Sequence, residues 1–228
     1  MPRHIAIIMD GNSRWAKQNG VSRAEGHRAG ARNIRNVVEI ITGLDVEFLT
    51  LYAFSSENWG RPRSEVNGLL RIFSELIDTE LADLHKKGVR LYHLGRISGL
   101  PAKLQKKVND AVEVTKNNNR LTLNIAFDYG GRAEITDAVR RMVQENIQPD
   151  EISEAVVSEH LYLPSVPDPE LIIRTGSGGR TRLSNFLLWQ SAYSELYFTD
   201  TFWPDFNQTD MEKALKDYAS RKRLFGKR

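Results

Sequence analysis

Short uninterrupted apolar runs alternate along the chain with longer stretches whose apolar residues recur at helical spacing. The runs are Ile5–Ile8, Phe48–Phe54, Val89–Leu94, Leu121–Phe127, Leu171–Ile173 and a last one around Glu195–Thr199. Each has strand length, and apolar residues at consecutive positions suit strands covered on both faces. Between them, Ile34, Val37, Val38 and Ile41 predict a helix ending near Gly43. Lys17–Glu25 before it reads as a polar loop. Val66, Leu69, Leu70, Phe73, Leu76, Ile77, Leu81 and Leu84 predict a long amphipathic helix from about Ser64 to Lys87. Further helices are expected from Pro101 to about Lys116, Ala133 to Glu145, Ser153 to His160, Phe186 to Ser191, and Thr209 to Arg221 before a basic tail. Strand and helix alternate throughout, without repeats or low-complexity segments. The expected fold class is therefore α/β: a single domain over residues 1–228, with a six-stranded, mainly parallel sheet flanked by helices on both faces. The stripe on the long helix suits plain core, and equally the wall of an apolar slot for a chain-like ligand.

Composition narrows the function. The 228 residues contain no cysteine, which removes disulfides and thiolate metal sites. The five histidines lack metal-ligand spacing, and a net charge of +3 gives no nucleic-acid footprint. No apolar run approaches the ~18 residues of a membrane span. With a strand almost at its start, the chain is expected to be cytosolic and without a signal peptide.

The strand ends carry the chemistry. Ile5–Ile8 gives way to Asp10, Gly11, Asn12 and Arg14; the second run to Ser55, Asn58 and Arg61; the fourth to Asp128 and Arg132; the fifth to Arg174, Arg180, Arg182 and Ser184. Ligands of open α/β sheets bind beyond the carboxyl ends of the strands. Asp10 there could simply cap a helix, and any one arginine could be a surface ion-pair partner. Six arginines at strand ends with one or two carboxylates instead suit a polyanion, most simply a diphosphate held by arginine forks and a magnesium ion. No P-loop occurs, Gly176-Ser177-Gly178-Gly179 is not GxGxxG, and there is no GxSxG elbow or DDxxD motif. A diphosphate without nucleotide signatures points to isoprenoid diphosphates.

His4–Ala16, Arg23–His27, Leu49–Pro62, Asn124–Arg132, Ile173–Gly176 and Leu183–Phe198 together resemble the cis-prenyltransferase family, in order along the chain. Ala53-Phe54-Ser55-Ser56-Glu57-Asn58-Trp59 and Ser184-Asn185-Phe186-Leu187-Leu188-Trp189-Gln190 are its most specific segments. The resemblance implies a magnesium-dependent enzyme joining isopentenyl diphosphate to an allylic diphosphate, such as farnesyl diphosphate. Its product would be a Z-polyprenyl diphosphate such as undecaprenyl diphosphate, whose growing tail occupies an apolar tunnel between sheet and helices. Asp10 would be catalytic and bind magnesium, with Glu195 completing the metal environment. Gly11, Asn12, Arg14, Trp15, Arg23 and His27 would surround the allylic diphosphate. Asn58 would be catalytic beside Ser55, Glu57, Trp59 and Arg61 on a loop that closes over substrate, and Arg174, Arg180 or Arg182, and Ser184 would hold isopentenyl diphosphate. A homodimer through Phe186–Phe202, a C-terminal arm reaching the partner's site and transient membrane-surface contact for product release are also implied. A non-catalytic lipid-diphosphate-binding subunit is the alternative.

Three positions depart from the family pattern. Ser13 replaces a usual glycine and Asp128 a usual asparagine. The loop Arg174–Ser184 is two residues longer than Arg-Thr-x-Gly-Glu-x-Arg-[Leu/Ile]-Ser and lacks its glutamate.

Overall fold

A computed structural model describes residues 1–221. The basic tail, and with it the expected C-terminal arm, lies outside the described residues. Six strands form one sheet: β1 (His4–Ile8), β2 (Phe48–Ser55), β3 (Val89–Leu94), β4 (Leu121–Tyr129), β5 (Leu171–Arg174) and β6 (Glu195–Phe198). Their order is β3-β4-β2-β1-β5-β6, and every neighbouring pair is parallel. The expected α/β architecture is what the chain adopts.

β1 lies at the middle of the sheet with all five residues buried. Its pleat sends Ile5 and Ile7 to one face and Ala6 and Ile8 to the other. On the first face they meet Ile34, Val37, Val38 and Ile41 of α2 (Arg23–Thr42) and Met211, Ala214 and Tyr218 of the last helix, α7 (Gln208–Ser220). On the second they meet Tyr52, Ile172, Phe186 and Leu187. At ~1.5–3 kcal/mol per buried large apolar side chain, this packing fixes the strand whose end carries Asp10.

Two expectations need correction. Lys17–Glu25 is mostly helical: α1 spans Asn12–Gln18 and α2 starts at Arg23, behind a reciprocal cap between Ser22 and Glu25. Phe186–Ser191 is a run of turns rather than a helix, with Ser184, Asn185 and Leu187 at positive φ. The run is anchored at its start: Phe186 stacks on Tyr52 at 4.5 Å, and the preceding Asn185 accepts from the backbone N–H groups of Gly131 and Arg132.

The stripe of the long helix α3 (Arg63–Lys86) serves partly as core and partly as pocket lining. α2 buries eight residues, whereas α3 buries only Val66 and Phe73. Leu69, Leu76, Ile77, Leu81 and Leu84 are half-buried. Leu76 and Leu84 pack against the core under β1, Leu69 and Ile77 against a second cluster around Phe54 and Phe127, and all five border the pockets described next. A pocket of about 70 Å³ beneath Met9, Asn12, His27 and Gly30 shares Ile34, Phe73 and Leu76 with a second of about 70 Å³. The second reaches Leu91 and Leu123, which lie level with Ile5. The two together span roughly 13 Å along the strands, at ~3.3 Å per residue.

Candidate active site

The carboxyl end of β1 is built to hold one carboxylate still. Gly11 has φ +113°, and a Cβ there would lie 2.8 Å from the Phe202 ring, so only glycine fits this turn. Trp203 N–H and the Thr175 hydroxyl both donate to the Asp10 carbonyl, at 3.1 and 2.9 Å. The Asp10 side chain then meets three guanidinium groups. Arg14 donates to Oδ1 at 3.0 Å, while Arg174 and Arg180 reach Oδ2 at 2.8 and 3.4 Å. Burial alone would raise the Asp10 carboxyl, but the hydrogen bond from Arg174 and the charge of Arg14 outweigh it and hold the pKa below its usual value. Asp10 is therefore ionised at neutral pH, inside an excess of positive charge.

The three cations differ in exposure and in the number of groups that hold them. Arg174 is 5 % exposed and is locked by Ser184 Oγ (2.8 Å) and the Arg182 carbonyl (2.5 Å). Arg14 also donates to the Gly176 carbonyl and lies 5.4 Å from the Phe202 ring centroid. Arg180 is 39 % exposed and touches only the edge of the carboxylate. Of the two arginines left open by the sequence, Arg180 faces Asp10. Arg182 contributes its carbonyl to Arg174, and among the described residues no carboxylate pairs with its guanidinium.

Next to this rim, Arg23 and Arg61 both bind Glu65 (2.8 and 3.1 Å), and His27 stands 3.9 Å from it. Burial, with Arg61 nearby, lowers the His27 pKa and keeps the ring neutral. Glu65 is a site residue that the motifs miss, although its i,i+4 spacing from Arg61 was visible. Three buried polar atoms at the rim have no hydrogen-bond partner: Asn12 Oδ1, His27 Nε2 and Arg174 Nε. Such orphans are uncommon in native structures and suit a site whose ligand supplies the partner.

The second loop is a 3₁₀ turn, Ser56–Gly60, at the end of β2 beside β1. Asn58 Oδ1 accepts from the Ser55 N–H at 3.1 Å, Glu57 accepts from Asn185, and the Trp59 indole donates to Asp128 at 2.7 Å. The acid that replaces the family's asparagine is thus the tether of this loop. Trp15 points elsewhere, its indole bonded to Asp205 at 2.7 Å.

Glu195 stands apart from this rim within the chain. It opens β6 in register with Leu171 and Ile5, roughly 10 Å upstream of the strand ends at ~3.3 Å per residue. There it pairs with Arg221 at 2.6 Å. Within one protomer Asp10 and Glu195 do not flank a common ion. Among the described residues no three acidic or histidine side chains cluster as a metal cage. One carboxylate at an arginine-lined rim fits magnesium, which is commonly held by one or two carboxylates plus substrate phosphates.

Residues 8–226 match the family described as "Putative undecaprenyl diphosphate synthase". The isoprenyl transferase of Rickettsia sibirica is 49 % identical over 226 residues, covering 99 % of this chain and 98 % of that protein. That of Fusobacterium nucleatum is also 49 % identical, covering 99 % of this chain and 96 % of its own. Lavandulyl diphosphate synthase from Lavandula x intermedia, solved with dimethylallyl diphosphate, superposes with a TM-score of 0.94 at 35 % identity, covering 99 % of this chain and 98 % of that one. A "probable undecaprenyl diphosphate synthase" from Campylobacter jejuni gives 0.84 at 32 % identity, covering 100 % and 99 %. The chain belongs to the cis-prenyltransferase, or isoprenyl transferase, family.

Proposed function

We propose that the protein joins isopentenyl diphosphate to an allylic diphosphate, with farnesyl diphosphate as the first acceptor, to give a Z-polyprenyl diphosphate. A product of the undecaprenyl type would serve as a lipid carrier in cell-wall synthesis. The carrying observation is the Asp10 carboxylate ringed by Arg14, Arg174 and Arg180 at the mouth of a space walled by apolar side chains. A charged head and a hydrocarbon tail on one ligand match that division.

In this reading the allylic C–O bond breaks and its electron pair leaves on the diphosphate. The isopentenyl double bond attacks the allylic carbon, and the proton lost from the isopentenyl unit restores an alkene. Arg14, Arg23 and the Gly11 turn bind the departing diphosphate, while Arg174, Arg180 and Ser184 hold the second one. Asp10, with diphosphate oxygens, would hold magnesium, which supplies positive charge to the leaving oxygens. Ser55 and Asn58, at the adjoining strand end, orient the isopentenyl unit, and the Trp59 loop excludes water. Each C5 unit drawn under α3 gains about 4 kcal/mol at ~0.8 kcal/mol per carbon, which pulls the tail inward after every step. A homodimer and a brief membrane-surface contact at product release belong to the same reading; no helix among the described residues is long and apolar enough to cross a membrane.

The test is incubation with farnesyl diphosphate, labelled isopentenyl diphosphate and magnesium. Longer labelled lipids are expected, and folded protein that makes none rejects the reading. The longer glycine loop without its glutamate favours one alternative, a subunit that binds a prenyl diphosphate without elongating it. Calorimetric binding in the absence of product would identify that case.

A further inference from the structure

We propose that the glycine loop Gly176–Gly179, pinned by Asp200, aims Arg180 at the Asp10 rim, so that Arg180 is the adjustable diphosphate-binding cation and Asp200 its positioning residue. This rests on the reading of the rim as a diphosphate site.

The loop leaves β5 already tied to the segment after β6. Gly176 N–H donates to the Thr201 carbonyl (2.7 Å) and Ser177 N–H to the Thr199 carbonyl (2.8 Å). Between those two residues Asp200 accepts from the Ser177 hydroxyl (2.7 Å) and from Gly178 N–H (2.9 Å). Gly178 and Gly179 then turn at φ +54° and +78°, and Arg180 N–H closes the turn on the Ser177 carbonyl at 3.0 Å. This reversal brings the Arg180 guanidinium back over Asp10 Oδ2. Arg14 packs under the loop, with a guanidinium nitrogen 2.8 Å from where a residue-178 Cβ would stand, and the positive φ of Gly178 is what favours glycine there.

Charge makes the role of Asp200 specific. A carboxylate beside an anion site weakens anion binding by simple repulsion. The hydroxyl of Ser177, followed by Gly178 N–H, holds the Asp200 carboxyl below its usual pKa, so it carries that charge at neutral pH. Its two bonds to the loop supply the compensating job. Arg174 is fixed by Ser184 and the Arg182 carbonyl, whereas Arg180, at 3.4 Å and 39 % exposed, can leave Asp10 for an incoming diphosphate.

The probe is inorganic diphosphate, titrated calorimetrically into the full-length protein and its variants. Arg180→Ala is expected to weaken binding about tenfold, the loss of one charge-assisted contact. Asp200→Ala is expected to weaken it about fivefold, although it removes a negative charge. The double variant should be no weaker than Arg180→Ala, and Asp200→Asn, which keeps an acceptor for the loop, should recover most of the loss. Arg182→Ala should cost less than Arg180→Ala. If Asp200→Ala does not fold, Ser177→Ala removes one of the same anchors. Unchanged or tighter binding in Asp200→Ala, additive losses, a larger loss in Arg182→Ala, or wild-type protein that binds no diphosphate would each overturn the proposal. Turnover measured on the same samples separates the two readings. The expected pattern without prenyl transfer rejects only the enzyme, while turnover with the pattern reversed rejects only the role of Asp200 and Arg180.

Discussion

The two halves of one sheet treat polar side chains in opposite ways. In the amino-terminal half, His4 is 2 % exposed and bridges three segments: its Nδ1–H donates to the Pro167 carbonyl at 2.6 Å and its Nε2 accepts from the Thr50 hydroxyl at 2.7 Å. Thr50 in turn accepts from Asn124 at 3.0 Å, so one neutral chain of bonds crosses β4, β2 and β1. At the carboxyl end, one anion and three cations crowd together, and three buried atoms are left unpartnered, against one, Asn124 Oδ1, in the amino-half chain. The first arrangement contributes stability. The second leaves charge and bonding capacity unspent until a ligand arrives. Substitutions should divide the same way, between folding at one end and turnover at the other.

The largest effect is expected at Asp10. Asp10→Ala should cut prenyl transfer by about 10²–10³-fold, the scale of one transition-state electrostatic group. Circular dichroism should still report a native fold. Near-normal turnover in that variant would end the contrast.

The amino half should respond to acid instead. Burial pushes the His4 pKa down to about 4, against 6.5 for a free histidine, despite the bond to Pro167. Below pH 6.5 the unfolded chain takes up a proton that the folded one refuses. The contribution of His4 is therefore complete above pH 6.5, declines as pH falls, and levels off near 4. About 3 kcal/mol is at stake over that window. Urea unfolding of wild type and His4→Gln across this range should show the extra acid sensitivity in the wild type alone.

Gly30 sharpens the comparison because it touches both concerns. A Cβ there would lie 2.3 Å from Asn12 Oδ1 and 2.9 Å from the Trp203 ring. Gly30→Ala should cost about 1–3 kcal/mol by overpacking and also lower turnover by moving Asn12. A variant with wild-type melting and kinetics would show that this seam yields more easily than its geometry implies.

The sheet was legible in the sequence because its strands are covered on both faces and read as unbroken apolar runs. The charged residues of the rim were legible because they follow those runs directly. The failures have physical causes. Phe186–Ser191 has helical composition, but its apolar side chains are placed singly by turns at positive φ, which hydrophobicity alone does not encode. The Ser22–Glu25 cap was present in the sequence and marks where α2 begins. That Arg180 rather than Arg182 faces Asp10 depends on a loop anchored by Asp200, a residue with no motif of its own. Glu195 matches the family pattern, yet strand register sets it at the far end from Asp10.

The sparse burial of α3 has a thermodynamic corollary. A helix whose apolar face is only half-buried and borders open pockets is incompletely covered, and a hydrocarbon tail would add to that cover. Ligand-free protein should therefore exchange amide hydrogens fastest along α3, and a bound prenyl chain should slow that exchange. On this view the lipid acts as a temporary structural component of the protein that makes it.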